Sequence, residues 1–351
     1  MVSFFMQILN ISISASYFVL AVIAIRFLWK RIPKSCICLL WMLVGIRLVV
    51  PSLPETSFSL LPSNQVFGDS EKYDNLSIIR TGYKELDNTA NEYVQGSYQS
   101  QRNANPQSMS AFQKNILWGT GLWIVGIGVL LGYFLYSWWK VKSSISTAIP
   151  EEIEGIKVYR SDMIFDPFLF GVLSPKIYVP YGLEGAQLQS VICHERSHLE
   201  RKDYILKPAF YLVLILHWFN PLIWIAYALL CEDIEFACDG RVMRQLGEDG
   251  KKQYAEALLV CSVNRNHLAG CPVAFGEGNV KNRIKQILSY RKPTPWLLAV
   301  AGIVCVVLIL GFMTGKKSEK NTIVYDDYKI SLSNAVACQE TGILEVELRI
   351  H

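Results

Sequence analysis

The sequence predicts a polytopic α-helical membrane protein with an α+β domain inserted between its third and fourth spans. Hydrophobic residues make up 51% of the 351 residues and charged residues only 18%, against about 25% charged residues in an ordinary soluble domain. The apolar excess falls into blocks, and about 20 apolar residues suffice to cross a bilayer. The same composition, with a net charge of only +4, excludes a disordered chain and argues against direct binding to nucleic acid.

Four charge-poor blocks are predicted to be membrane spans, namely residues 4–25, 35–53, 114–139 and 293–314. The first block is too long for the apolar region of a signal peptide, so we expect it to remain in the protein. Basic residues fill the turn that follows it, from Arg26 to Lys34, and basic turns stay in the cytoplasm. This pattern predicts an N-terminus outside the cell and two transmembrane helices within residues 1–53.

The segments between the spans differ in charge. Residues 54–113 hold seven acidic and four basic residues, which is the balance expected of an ectoplasmic loop. Residues 140–292 end in five basic residues between Lys281 and Lys292, so we expect a cytoplasmic domain. The last span then leads to a short extracellular tail, 315–351, which alternates like a strand but is too short for a robust domain.

The predicted cytoplasmic domain contains His194-Glu-Arg-Ser-His198, the pattern HExxH. Residues four apart share one helix face, so both imidazoles can reach one metal ion. Glu195 lies beside that face, where it can accept a proton from a metal-bound water. We therefore predict one Zn2+ per chain and a hydrolytic reaction, the alternative being an ordinary amphipathic helix with two satisfied histidines.

A hydrolytic zinc needs a third protein ligand and an open position. The predicted helix over residues 231–239 offers Glu235. Asp239 follows one turn later and is predicted to accept a hydrogen bond from the N–H of a ligand histidine. The residues alone leave other candidate ligands open, and these are Glu232, Asp233, His217, His267 and Cys238.

The apolar block 208–231 separates His198 from Glu235. A single crossing of the membrane would place the two halves of the metal site on opposite sides. Asn220-Pro221 interrupts the block and leaves halves of about 12 residues, each shorter than the roughly 20 needed for a span. We therefore predict a re-entrant or interfacial helical hairpin that returns Glu235 to the cytoplasmic side.

The run from His194 to Asp203 resembles the HExxHxxRxD signature of the BlaR/MecR-type membrane metalloproteases, the antirepressor peptidases of Gram-positive bacteria. Further segments are similar to the same family in the same order, and these are Phe170–Pro180, His217–Trp224, Glu235–Asp239 and Ala274–Ile284. Together with the predicted spans, the resemblance covers residues 1–314.

The resemblance implies a gluzincin zinc-metalloprotease domain with His194, His198 and Glu235 as zinc ligands and Glu195 as general base. It also implies a multi-pass protein of the bacterial cell membrane that cuts a cytoplasmic protein, typically a winged-helix DNA-binding repressor, when an outside signal arrives. The expected partners are this protein substrate and the lipid bilayer, and a homodimer is compatible with the sequence.

The sequence departs from the antibiotic-sensing members of that family at its end. Those members carry an outer penicillin-binding domain after the last span. Residues 315–351 are too few for such a domain and hold no S-x-x-K acylation motif. We therefore expect a ligand other than a β-lactam.

Contacts to the substrate are less defined. The strand Pro175–Pro180 is bounded by prolines and is interpreted either as an edge strand that pairs with an extended substrate or as a plain structural strand. The group that stabilises the oxyanion is left open between Arg283, His217 and several tyrosines.

Three other functions compete with a regulated endopeptidase. A catalytically silent receptor is disfavoured by the intact HExxH and distant glutamate. A CAAX-type membrane zinc protease shares that pattern, but the Cys238-Asp239 pair and the three-span entry favour the first family. A transporter would need ionisable residues inside its spans, and only Arg47 qualifies, since Lys114 is the terminal residue of the third span.

Overall fold

The computed structural model describes residues 1–29, 32–50, 111–153, 155–247, 250–263, 280–290 and 292–312, with short strand segments at 55–56, 315–316, 321–325, 328–332, 336–337 and 344–345. Most of the predicted loop 54–113 and of the predicted tail 315–351 lies outside the described residues. So do His267 and part of the family-like segment Ala274–Ile284.

Helices dominate the described part of the chain, with one small sheet before the HExxH helix. The helices are α1 (Val2–Leu28), α2 (Lys34–Val49), α3 (Ala111–Ser144), α4 (Gly185–Arg201), α5 (Asp203–Leu216), α6 (Pro221–Leu246), α7 (Gly250–Val263), α8 (Val280–Leu288) and α9 (Pro295–Phe312). The strands are β1 (Glu55–Thr56), β2 (Ile149–Ile153), β3 (Ile156–Ser161), β4 (Phe168–Phe170), β5 (Lys176–Pro180), β6 (Gly315–Lys316), β7 (Asn321–Tyr325), β8 (Tyr328–Leu332), β9 (Val336–Ala337) and β10 (Leu344–Glu345).

Helices lie at all four predicted spans, and three of them are long and apolar enough to cross a membrane. These are α1, the part of α3 from Lys114 to Ser144, and α9. Helix α2 has 16 residues and is shorter than the roughly 20 that a span requires. It ends because Val50 adopts the extended conformation that a following proline favours. The second span therefore stays a prediction.

Helices α5 and α6 form a hairpin over most of the predicted segment 208–231. Helix α5 ends at Leu216 and α6 begins at Pro221, so the chain turns at the predicted break. Asn220 caps α6, since its side-chain oxygen accepts the N–H of Leu222 at 3.0 Å. Proline at the first position and asparagine at the cap both favour a helix start.

The tip of this hairpin lies deep between α1 and α2. The amide of Asn220 donates to Ser12 Oγ at 2.9 Å and to Ser16 Oγ at 2.8 Å. Nε2 of His217 lies 3.2 Å from the backbone oxygen of Leu48, near the end of α2. The hairpin tip thus packs against the middle of α1 and the end of α2, and its re-entrant or interfacial position stays a prediction.

The opposite ends of α1 and α2 are held to α6 by charge. The fully buried carboxylate of Asp233 accepts hydrogen bonds from Arg26 Nε at 2.9 Å, Lys34 Nζ at 3.1 Å and Trp41 Nε1 at 3.1 Å. Glu232 pairs with the same arginine. Because a buried charge requires such partners, this cluster fixes α6 at the basic ends of the first two helices.

The sheet has the strand order β2-β3-β5-β4. Strand β5 pairs in parallel with β3 and antiparallel with β4, while β2 pairs antiparallel with β3. The interpretation of Pro175–Pro180 as an edge strand is therefore wrong, because β5 has a neighbour on each side. Strand β4 lies at the margin of the four-stranded sheet and contacts α4.

Helix α3 links the hairpin to the sheet. Trp123 donates through Nε1 to the backbone oxygen of Leu216 at 2.9 Å, and Trp218 donates to the backbone oxygen of Trp123 at 3.2 Å. At the other end of α3, the ring centroids of Trp138 and Phe170 are 4.8 Å apart. One helix therefore packs on both the hairpin tip and strand β4.

Candidate metal centre

Helix α4 presents His194 and His198 on one face. Both side chains are buried, and their rings meet edge to face with centroids 4.7 Å apart. The two Nε2 atoms are separated by 3.1 Å. The helical spacing thus brings both imidazoles to one point, as the sequence predicts.

Helix α6 brings Glu235 to the same point. Its Oε2 lies 3.4 Å from His194 Nε2, and its Oε1 lies 3.6 Å from His198 Nε2. Ligand atoms bound tetrahedrally at about 2.0–2.2 Å from zinc are about 3.3–3.6 Å apart. The two Nε2 atoms are 3.1 Å apart, and each has a different oxygen of Glu235 within 3.6 Å, so the carboxylate faces the gap between the rings at about the spacing of zinc ligands.

The hydrogen bonds behind the two rings support a metal in the middle. Nδ1 of His198 lies 2.9 Å from Asp203 Oδ2, and Nδ1 of His194 lies 2.8 Å from the Tyr254 hydroxyl. When each Nδ1 carries the proton, each Nε2 carries a lone pair that faces the other ring. Two lone pairs and a carboxylate form an acceptor set that suits a divalent cation, so the residues fit zinc.

A left-handed residue explains how Asp203 reaches His198. Lys202 has φ 60° and ψ 32°, and its N–H bonds back to His198 and Leu199 at the end of α4. The chain then turns directly into α5, whose first residue is Asp203. Arg201 donates to the same carboxylate oxygen at 3.1 Å, so the family-like RxD segment holds the ring of His198.

Asp239 lies beside the site but acts on His194 mainly through Tyr254. The tyrosine hydroxyl donates to Asp239 Oδ1 at 2.6 Å, whereas Oδ1 is 3.4 Å from His194 Nδ1. Both carboxylate oxygens also accept from Arg283, at 2.9 and 2.7 Å. The contact predicted to be direct is thus a relay through Tyr254 of α7, a residue for which no sequence pattern indicates this part.

The charges around Glu235 keep it ionised. Burial opposes the carboxylate, but Lys207, His198 and Arg283 outweigh burial and hold the pKa of Glu235 well below its usual value. Lys207 Nζ lies 2.8 Å from Oε1 and Arg283 Nη1 lies 3.2 Å from Oε2. An ionised carboxylate is the form that binds a metal.

His198 and Cys238 are buried neighbours, and the pKa of each is raised above its ordinary value. Burial raises the pKa of the Cys238 thiol, so this side chain is protonated at neutral pH. Burial also disfavours the charged ring of His198, but the acidic neighbours Cys238, Glu235 and Asp203 raise its pKa well above 6.5. With a neutral thiol, that upward shift rests on the two carboxylates.

Glu195 follows the first histidine on α4 and is 5% exposed. Within the described residues its carboxylate has no hydrogen bond or ion pair to a side chain. A buried carboxylate next to a candidate ligand histidine is placed to bind water.

The other candidate ligands point elsewhere. Glu232 and Asp233 pair with Arg26, and His217 lies at the far tip of the hairpin, against α2. Cys238 Sγ lies 3.3 Å from His198 Nδ1 and 3.4 Å from Asp203 Oδ2. It therefore belongs to a second possible metal-binding group, on the opposite side of that ring.

The apolar helices, the small sheet and the buried His-His-Glu cluster are typical of a membrane metallopeptidase. A family model described as BlaR1 peptidase M56 matches residues 6–287. The chain therefore belongs to this peptidase family, which confirms the resemblance carried by His194–Asp203 and decides between the two protease families considered.

Curated relatives carry regulatory names. The chain is 26% identical over 221 residues to "Regulatory protein BlaR1" of Bacillus licheniformis, a match that covers 56% of this chain and 37% of that protein. It is 24% identical over 333 residues to "Methicillin resistance mecR1 protein" of Staphylococcus aureus and of Staphylococcus epidermidis, covering 86% of this chain and 55% of each relative. The chain thus spans about half the length of these relatives or less.

Proposed function

We propose that the protein is an integral-membrane zinc endopeptidase of a transmembrane signalling system. The observation that carries this proposal is the set of donor atoms from His194, His198 and Glu235, all within 4.8 Å of one another. Two histidines and a carboxylate gathered in this way are a ligand set that zinc takes in hydrolytic sites, and the family is one of peptidases.

In the proposed reaction, bound zinc lowers the pKa of its water toward neutrality and polarises the scissile carbonyl. Glu195 accepts a proton from the water and passes it to the leaving amine nitrogen. Asp203 and Tyr254 hold the two rings by their Nδ1 atoms, so that both Nε2 atoms stay directed at the same point. Asp239 supports this arrangement through Tyr254.

The catalytic site faces the cytoplasm in this proposal. Asp233, two residues before Glu235, is bound by Arg26 and Lys34 at the basic ends of α1 and α2. Such ends lie on the inner side of bacterial membranes. The ectoplasmic loop 54–113, the cytoplasmic domain 140–292 and the extracellular tail 315–351 follow from the same orientation.

The proposed substrate is a cytoplasmic protein, of which a winged-helix repressor is the expected type. Strand β4 supports binding of an extended segment, because it lies at the margin of the sheet and contacts the HExxH helix. An extended peptide can add to such a strand by main-chain hydrogen bonds.

The test co-expresses the full chain with candidate winged-helix repressors from the same genome and follows their cleavage by immunoblot. Glu195→Gln is expected to retain zinc and to abolish cleavage, because it removes the base but not a ligand. Glu200→Gln changes another glutamate of α4, which pairs with Arg196 and Arg241, and is expected to cleave normally. Unchanged cleavage by Glu195→Gln would contradict the proposal, and a wild type without zinc would favour the silent receptor.

A further inference from the structure

The guanidinium of Arg283 lies against the metal-facing atoms of the site. Nη2 is 3.2 Å from His194 Nε2, and Nη1 is 3.2 Å from Glu235 Oε2. Both neighbours are atoms proposed to bind zinc. A cation with several N–H donors therefore borders the place where the reacting carbonyl must come.

Arg283 is fixed in this orientation before any substrate arrives. Asp239 accepts from Nε at 2.9 Å and from Nη2 at 2.7 Å, a two-point contact that sets the plane of the guanidinium. The Tyr254 hydroxyl in turn holds Asp239. The arginine side chain is only 6% exposed, and burial of this kind strengthens its interaction with a developing charge.

We propose that Arg283 donates to the carbonyl oxygen of the scissile bond and stabilises the oxyanion that forms when water adds. This inference rests on the proposed endopeptidase function. Water adds to the carbonyl carbon, the π electrons move to the oxygen, and the Nη donors of Arg283 bind that negative charge. The electron pair on this oxygen then re-forms the C=O bond. The C–N bond breaks, and the amine leaves with the proton from Glu195.

Asp239 and Tyr254 are then positioning residues, which act through Arg283 and His194. His217 is excluded from the oxyanion role because it lies at the hairpin tip against Leu48. A purely structural arginine would balance Glu235 and Asp239 but would not distinguish between ligands that carry an oxyanion and ligands that do not. That difference supplies the test.

The experiment compares two zinc-binding probes by calorimetry on the zinc-loaded full chain in nanodiscs. One probe is a dipeptide phosphonamidate, whose tetrahedral anionic oxygens mimic the oxyanion. The other is the mercaptoacyl derivative of the same dipeptide, which binds zinc through sulfur and offers no oxyanion. Zinc content is measured in parallel for every variant.

Arg283→Lys is expected to weaken the phosphonamidate about 100-fold, to change the thiol probe by less than about twofold, and to keep its zinc. The double variant Arg283→Gln with Asp239→Asn preserves charge balance and a hydrogen bond, so it provides the test if the lysine variant does not fold, with the same selective loss expected. Lys281→Gln, an exposed position on the same helix, is the matched control.

Equal losses for both probes, or no loss for the phosphonamidate, would overturn the oxyanion role of Arg283. The role would also be overturned by a wild-type chain that binds zinc and the thiol probe but binds the phosphonamidate no more tightly than its Arg283→Lys variant does. A wild-type chain that takes up no zinc would instead overturn the proposed function on which the role depends.

Discussion

The ammonium of Lys207 and Oε1 of Glu235 are 2.8 Å apart, so a lysine occupies one side of the carboxylate proposed to bind zinc. Lys207 comes from α5 and Glu235 from α6, the two arms of the hairpin. The ion pair keeps the carboxylate charged, but the positive charge of the Lys207 ammonium opposes the approach of a metal cation. A zinc ion bound at the proposed site would therefore compete with Lys207 for this carboxylate.

Replacing Lys207 with methionine is expected to tighten zinc binding. The change keeps an unbranched side chain one atom shorter and removes a positive charge beside the site. Repulsion between nearby charges in a buried site is strong. We expect an increase of about tenfold in affinity, or about 1.4 kcal/mol, measured by competition with a chromogenic chelator. Lys252→Met, at an exposed position on α7, is the control. Weaker zinc binding in the Lys207 variant would show that the lysine supports the ligand.

Asp203→Asn is expected to weaken zinc binding by about 10–100-fold, as is typical when a residue that orients a ligand histidine is changed. The carboxylate accepts hydrogen bonds from His198 Nδ1 and from Arg201. Burial alone would raise the pKa of Asp203, but these two partners outweigh burial and lower it. The same chelator competition measures the effect. Asp162→Asn, at an exposed position, should leave the affinity unchanged, and equal affinities for both variants would contradict the role of Asp203.

Gly126→Ala is expected to destabilise the packing of α3 on the hairpin. A Cβ at this position would overlap the indole of Trp218, so the indole must move and its hydrogen bond to Trp123 is disturbed. Overpacking of this kind costs about 1–3 kcal/mol. Gly128→Ala on the same helix meets nothing within 4 Å and is the matched control.

Thermal unfolding of the two glycine variants in detergent measures the difference. The lower melting temperature should belong to Gly126→Ala alone. Similar melting temperatures for both would mean that Trp218 has room to move and that α3 does not depend on this contact.

The local part of the site was predictable from the sequence because helix geometry determines it. The spacing of His194 and His198 fixes their shared face, and Asn220-Pro221 marks the start of α6 by the chemistry of helix caps. The inferred hairpin returns Glu235 to the side of the histidines, but the residues alone leave Glu232 and Asp233 as alternatives, and the family resemblance is what implies Glu235 as the ligand. Short patterns thus determine the histidine pair and the helix start, and the third ligand depends on the resemblance.

The long-range part of the site was not predictable in this way. Tyr254 and Arg283 come from α7 and α8 and meet His194 only through tertiary packing. Strand β5 looked like an edge because of its flanking prolines, but edge position depends on where β4 returns, and β4 has only three residues. The partners of Asp233 on α1 and α2 likewise depend on how the helices pack.

The measurement that tests the central claim most directly is the zinc content of the purified full chain after dialysis against a weak chelator. The wild type and Glu232→Gln are expected to retain about one zinc per chain, since Glu232 pairs with Arg26 rather than with the histidines. Glu235→Gln is expected to lose the metal, because its carboxylate lies 3.4 and 3.6 Å from the two Nε2 atoms. Full retention of zinc by Glu235→Gln, or its loss in Glu232→Gln, would contradict the proposed site.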